Sequence, residues 1–250
     1  MSSMPTLSVS SLAKSFGGVH AVRDVTFEVA GGEVLALIGP NGAGKTTCFN
    51  MLNGQLAPDS GSVRLSGTEL VGRAPRAIWR LGVGRTFQIT ATFPSMTVRE
   101  NVQMALLSHA GQLGRWWPRA ADLQRERADE LLARVGMQSQ ADRACAVLAY
   151  GDLKRVELAI ALANEPRLLL MDEPTAGMAP RERIELMALT HDIVRERRLA
   201  VLFTEHDMDV VFAHADRIIV LNRGRLIAAG KPDEVRANPE VQRVYLGSRH

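Results

Sequence analysis

The chain has 250 residues, 46% of them hydrophobic and 23% charged, with a formal charge of +3; this composition excludes disorder and supports one large core, or one core with a subdomain. Its longest apolar runs, 34–38 and 168–171, fall far short of the roughly 20 residues that cross a bilayer. The N-terminal stretch MSSMPTLSVS lacks the basic start and apolar run of a secretory signal, so a cytosolic chain is expected.

Residues 7–29 alternate apolar and polar positions (Leu7, Val9; Val25, Phe27, Val29) and are broken by Gly17-Gly18 and followed by Gly31-Gly32. That pattern predicts antiparallel strands joined by turns. Residues 34–38 read as a buried strand running into a glycine-rich turn, and a helix is expected over 45–52. Strand, glycine loop and helix together make a nucleotide-binding unit. A polar turn at 58–62 and the alternating Val63 and Leu65 complete a small antiparallel sheet. Between about 98 and 162 the texture becomes helical, with Ala128, Leu131, Leu132 and Val135 at i, i+3, i+4 and i+7. A helical subdomain is expected there, inserted into a single domain spanning 4–250.

Arginines around 115–134 interleave with Asp122, Glu126, Asp129 and Glu130, the pattern of a solvated helix face. No nucleic-acid partner is expected from it. Trp116-Trp117 is read as packing inside the helical subdomain rather than as a membrane-surface anchor. A strand at 168–171, a helix at 181–197, a strand at 200–203, a helix at 208–214 and a strand at 218–221 follow. That order predicts a parallel sheet flanked by helices. Cys48 and Cys145 are too few and too distant for a disulfide framework or a metal site, and are read as packed thiols.

The strongest chemical signal is Gly39-Pro40-Asn41-Gly42-Ala43-Gly44-Lys45-Thr46, a full G-x-x-x-x-G-K-[ST] match after an apolar strand and before a helix. Glycines let successive backbone N–H groups turn inward around phosphate oxygens, at a helix N-terminus whose dipole favours anions. Lys45 would neutralise the β- and γ-phosphates of ATP, Thr46 would ligate Mg²⁺, and Thr47 would reach the α-phosphate side. Downstream, an apolar strand ends in Asp172-Glu173, where strand ends meet ligands in open α/β sheets. Asp172 would hold Mg²⁺ through water and Glu173 would take a proton from the attacking water. Taken alone, two acids that merely open a loop would explain the pair; the phosphate loop upstream argues against that.

In order along the chain, these motifs resemble those of ATP-binding-cassette (ABC) transporter subunits, and the similarity runs end to end. The resemblance implies an α/β fold: a P-loop NTPase core with a mostly parallel sheet, an N-terminal antiparallel β subdomain and the inserted α-helical subdomain. It also implies roles. Gln88, in Arg85-Thr86-Phe87-Gln88, resembles the glutamine that touches Mg²⁺ and the attacking water. His206, in Thr204-Glu205-His206-Asp207, resembles the switch histidine that contacts the γ-phosphate. Phe16 matches the aromatic position that stacks on adenine. Singly, His206 would read as a packed or solvated histidine and Phe16 as a core residue.

Leu148-Ala149-Tyr150-Gly151-Asp152 stands where the family signature Leu-Ser-Gly-Gly-Gln is usual. Ala149 removes the hydroxyl that bonds the γ-phosphate held by the opposite subunit, leaving Gly151 and the helix start available. Ala176-Gly177-Met178-Ala179 lacks the usual aspartate of the loop after the catalytic carboxylate. With Gly84-Arg85-Thr86-Phe87-Gln88 and the tail 238–247, these departures look like ATPases of branched-chain amino acid importers. Urea or amide importers and lipopolysaccharide exporters are similar, and a soluble non-transport ABC ATPase is the alternative class. The resemblance implies transmembrane permease subunits, with Phe93 and Met96 as contacts or as core. It implies a head-to-tail pair with a second ATP-binding subunit, a different chain or a copy of this one. It also implies a periplasmic or surface solute-binding protein, and peripheral attachment at the cytoplasmic face of the inner membrane.

Overall fold

A computed structural model describes residues 5–86, 92–111 and 123–246. In chain order the first half contains β1 (Leu7–Phe16), β2 (Val19–Val29), β3 (Val34–Ile38), α1 (Lys45–Leu52), β4 (Ser60–Leu65), β5 (Thr68–Glu69), α2 (Pro75–Arg80), β6 (Val83–Thr86), α3 (Val98–His109), α4 (Arg125–Arg134) and α5 (Tyr150–Leu162). The rest comprises β7 (Leu168–Asp172), α6 (Pro180–Arg197), β8 (Ala200–Thr204), α7 (Met208–His214), β9 (Arg217–Asn222), β10 (Arg225–Gly230), α8 (Pro232–Ala237) and α9 (Pro239–Leu246).

Two sheets form. β2-β1-β4-β5 is antiparallel, and β10-β9-β3-β8-β7-β6 is parallel from β9 to β6 with β10 antiparallel at one edge. Every residue of β3, β7 and β8 is buried, because both faces of the large sheet are covered. Strand alternation divides them between two cores. Val34, Ala36, Ile38, Val201 and Phe203 face the core built with α3 to α7. Leu35, Leu37, Ala200 and Leu202 face the core shared with the antiparallel sheet and Phe49 of α1. At roughly 1.5–3 kcal/mol for each fully buried large aliphatic side chain, this double burial is what fixes the register of the central strands.

The predicted strands and helices up to residue 65 and after residue 168 appear within one to three positions of their expected ends, β4 starting at Ser60 inside the expected turn. The buried face of α4 carries Ala128, Leu131 and Leu132, as the helical spacing predicts, and Val135 is buried just past its end. α3 starts with a reciprocal cap: Thr97 Oγ1 accepts from the Glu100 N–H at 3.2 Å, and Glu100 Oε2 accepts from the Thr97 N–H at 2.7 Å. Both cysteines are buried, and burial pushes the Cys48 thiol up to about 12. Trp116-Trp117 lies outside the described residues. Among the described residues no helix is long and apolar enough to cross a membrane.

Candidate nucleotide site

The segment 39–44 leaves the C-terminal end of β3 and delivers Lys45 as the first residue of α1. Gly44 has φ +106°, and a Cβ there would stand 2.3 Å from the Ala21 carbonyl oxygen of β2, so only glycine fits. Lys45 is buried, and its Nζ donates to the carbonyl oxygens of Gly39 at 2.7 Å and Pro40 at 3.2 Å. Burial pushes its ammonium group below the usual lysine value, while Glu173 and Asp172 pull the other way. Those two acids are therefore within electrostatic reach of the loop. A cleft of about 210 Å³ is lined by Ala21, by the six residues of the loop from Asn41 to Thr46, by Thr47, and by Glu173 and His206.

Asp172 ends β7. Its Oδ1 accepts from Thr204 Oγ1 at 2.7 Å, and its Oδ2 lies 3.5 Å from a guanidinium nitrogen of Arg85. Glu173, one residue on, has φ +50°, a left-handed conformation that costs a non-glycine residue about 1–3 kcal/mol. Two bonds hold it there: its N–H is 3.1 Å from both the carbonyl and the hydroxyl oxygen of Thr204 on β8. The turn aims the carboxylate at His206, whose Nε2 is 2.7 Å from Glu173 Oε1; with the proton on Nε2 the ring donates to the carboxylate.

A third acid stands behind this pair. Glu205 is buried, and its Oε1 accepts from the N–H and the hydroxyl of Thr175 at 2.8 and 2.7 Å, while Oε2 accepts from the His206 N–H at 3.2 Å. It ties the loop after Glu173 to the loop carrying His206. Sequence reasoning missed Glu205 and Arg85. The signal was present for Glu205, an acid placed directly after a fully buried strand that is apolar up to its last residue, Thr204.

The structure thus brings residues 41–47, Glu173 and His206 together, with Gly39 and Pro40 at the base of the loop and Asp172 beside it. It keeps others apart. Phe16 is 49% exposed at the end of β1, paired with Val19, and does not line the cleft. Ala149 caps α5 without a side-chain hydrogen bond, Tyr150 is 41% exposed and Gly151 is buried; none of the three lines the cleft. A Cβ on Gly177 would meet the Tyr150 ring at 3.3 Å, so the signature segment packs on the loop after Glu173. Gln88 lies outside the described residues. From the far end of the chain, the Tyr245 hydroxyl meets the backbone of Gly39; burial pushes this phenol up to about 12, the Gly39 contact acting in the opposite sense.

Among the described residues no group of three or more His, Cys, Asp and Glu could hold a metal alone. Mg²⁺ does not need one, since it keeps several waters and shares phosphate oxygens with one or two protein ligands. A strand-end carboxylate, Asp172, and an exposed hydroxyl at the helix start, Thr46, fit that chemistry.

Residues 22–176, from β2 through the acid pair, match the ABC transporter family. The chain belongs to this family. Its ABC ATPase fold is shared with MJ1267, an ATP-binding cassette of an ABC transporter in its ADP conformation (TM-score 0.88, 28% identity, covering 98% of this chain and 100% of that one). CbiO1 from Clostridium perfringens, part of the ABC transporter complex cbiONQ, matches at TM-score 0.82 and 32% identity over 99% of this chain and 96% of its own. The cassette is 41% identical to the high-affinity branched-chain amino acid transport ATP-binding protein LivG of Escherichia coli, over 98% of this chain and 99% of the relative. Identity is 40% to BraF of Pseudomonas aeruginosa, with the same coverage, and 36% to the lipopolysaccharide export ATP-binding protein LptB of Acidithiobacillus ferridurans, over 97% of each. Residues 225–250 match a second family, the branched-chain amino acid ATP-binding cassette transporter.

Proposed function

We propose that this chain is the ATP-hydrolysing subunit that powers uptake of branched-chain amino acids through a membrane permease. The observation that carries the ATPase half is the Glu173–His206 pair, 2.7 Å apart, facing the phosphate loop across one cleft. The transport half rests on end-to-end likeness to LivG and BraF and on the C-terminal match, which together favour this reading over a urea or amide importer or a lipopolysaccharide exporter.

Backbone N–H groups of the loop receive the phosphates, and Lys45 exchanges its carbonyl partners for phosphate oxygens. Asp172, Thr46 and Gln88 would hold Mg²⁺, which when bound neutralises charge on the phosphates. Phe16, exposed outside the phosphate cleft, stacks on the adenine where the nucleotide projects beyond that cleft. Glu173 takes the proton of the water that attacks the γ-phosphorus in line, and the bond to the bridging oxygen breaks. His206 fixes the carboxylate and contacts the phosphate being transferred.

The exposed Tyr150 and its neighbours Ala149 and Gly151 serve the nucleotide of an opposite subunit in a head-to-tail pair, which explains why they avoid this chain's own cleft. Without a hydroxyl at Ala149, a partner of different sequence completes the more active composite site. Phe93, 56% exposed, and the half-buried Met96 make a permease contact beside α3. In the assembly the chain sits on the cytoplasmic face of the inner membrane, with a periplasmic solute-binding protein on the other side.

The test replaces Glu173 by Gln and assays the chain with its co-purified partners. The variant is expected to bind ATP but to turn it over at least about 10²-fold more slowly, the usual worth of a positioned base. Undiminished turnover would assign the water to another group. Permease chains and labelled leucine uptake are expected with the wild type; ribosomes, nucleic acid or lipopolysaccharide-export components in their place would overturn the transport reading.

A further inference from the structure

A cavity larger than the nucleotide cleft lies elsewhere among the described residues. It has a volume of about 480 Å³ and lies at the opposite end of the parallel strands, where Arg167 precedes β7 and Arg197 and Arg198 precede β8. Each of those strands is five residues long and carries its site residue, Asp172 or Thr204, at the other end. At about 3.3 Å per residue the two sites are roughly 15 Å apart, with the sheet between them.

Four arginines line this cavity, Arg127, Arg167, Arg197 and Arg198, together with one acid, Glu165, and with Thr6, Ser66 and Pro166. Its acids are already engaged. Arg127 spans Glu130 at 2.6 Å and Glu165 at 2.5 Å, and Arg134, just outside, holds Glu196 at 2.6 Å. Five guanidinium groups thus meet three carboxylates. Among the described residues Arg167, Arg197 and Arg198 have no carboxylate within ion-pairing distance.

The fold keeps these like charges together. Arg198 has φ +52° at the end of α6, a left-handed position that turns the chain sharply into β8. Burial and then the nearby Arg134 and Arg127 push Arg197 below its usual value, Glu196 and Glu165 opposing them. An ordinary solvated helix face spreads such charges or alternates their sign. Here, among the described residues, three guanidinium groups without a carboxylate partner line a concavity of the size that small-molecule sites have. Planar guanidinium forks match phosphate oxygens two at a time.

We infer that this cavity is a second anion site, built to take an oligophosphate group at the end of the sheet opposite the phosphate loop. The group can come from a free oligophosphate or from the phosphate tail of a nucleotide.

The test titrates the intact chain with inorganic triphosphate in one arm and ADP in the other, by calorimetry, for the wild type, for Lys45→Ala and for Arg167→Gln combined with Arg197→Gln. Two binding events are expected for triphosphate. One should disappear in Lys45→Ala; the other should persist there, weaken about tenfold or more in the double arginine variant, and weaken further as salt is raised. Retention of the Lys45-dependent event in that variant shows that it is folded. ADP filling the arginine-dependent site as well would identify a nucleotide tail as a source. If neither probe binds there, or if the second event ignores the arginine substitutions, the inference is wrong. The readout does not require that the Lys45 site be catalytic.

Discussion

Glu205 offers the sharpest test of how the site is held. In Glu205→Ala the N–H and hydroxyl of Thr175, which is 1% exposed, lose their common acceptor and remain buried. Each orphaned donor costs about 1–3 kcal/mol, so the expected loss of stability is roughly 2–6 kcal/mol. The His206 N–H is half-buried and finds water at lower cost. Glu205→Gln keeps an oxygen for both Thr175 donors but turns an amide nitrogen toward the His206 N–H, and should cost only about 1 kcal/mol. Urea unfolding of both variants reads the stability. Single-turnover ATP hydrolysis reads the loops, because releasing either one loosens the 2.7 Å contact between Glu173 and His206. If the alanine variant unfolds within about 0.5 kcal/mol of the wild type, the hydrogen-bond account of this acid fails.

Gly44→Ala should abolish nucleotide binding and cost about 1–3 kcal/mol or more, since its Cβ would press on a backbone carbonyl; retained ATP affinity in equilibrium dialysis would contradict the packing described. Ala149→Ser supplies the missing cap of α5, and calorimetric unfolding should register about 1 kcal/mol of added stability; no change would mean that the first turn is already satisfied. His214 is held below its ordinary 6.5, by burial first and by His191 second. The unfolded chain therefore binds the proton more readily, and stability is lost as pH falls from about 6.5 toward the folded value. Unfolding midpoints from pH 7.5 to 5.5 should fall less steeply in His214→Asn; parallel curves would dismiss this histidine as a contributor.

The central strands were legible because both of their faces are buried, which turns Val34 to Ile38 and the three leucines opening β7 into unbroken apolar runs. The turn from β3 through the glycines into α1 was legible because strand, loop and helix follow one another directly in the sequence. Neither condition holds for β6, where Gly84 admits the Ala161 carbonyl so closely that a Cβ would stand 2.6 Å away, and where Arg85 points toward Asp172 from 87 positions earlier. β10 hides similarly, a partly exposed edge strand that ends in Ala228, Ala229 and Gly230 against β9. The contact of Tyr245 with Gly39 and the role of Glu205 depend on which distant segments meet. No local pattern encodes that.

The placement of β3 also bears on how the chain is made. Its neighbours are β8 and β9, and Val34 first finds its partner at Val201, 167 positions later. At about 5–20 residues per second, a ribosome exposes the phosphate loop for roughly 8–33 s before the strands that brace it exist. For that interval the nascent chain holds a sticky apolar strand and no working cleft. Residues 34–38 therefore stay without their strand partners until the last fifth of the chain emerges.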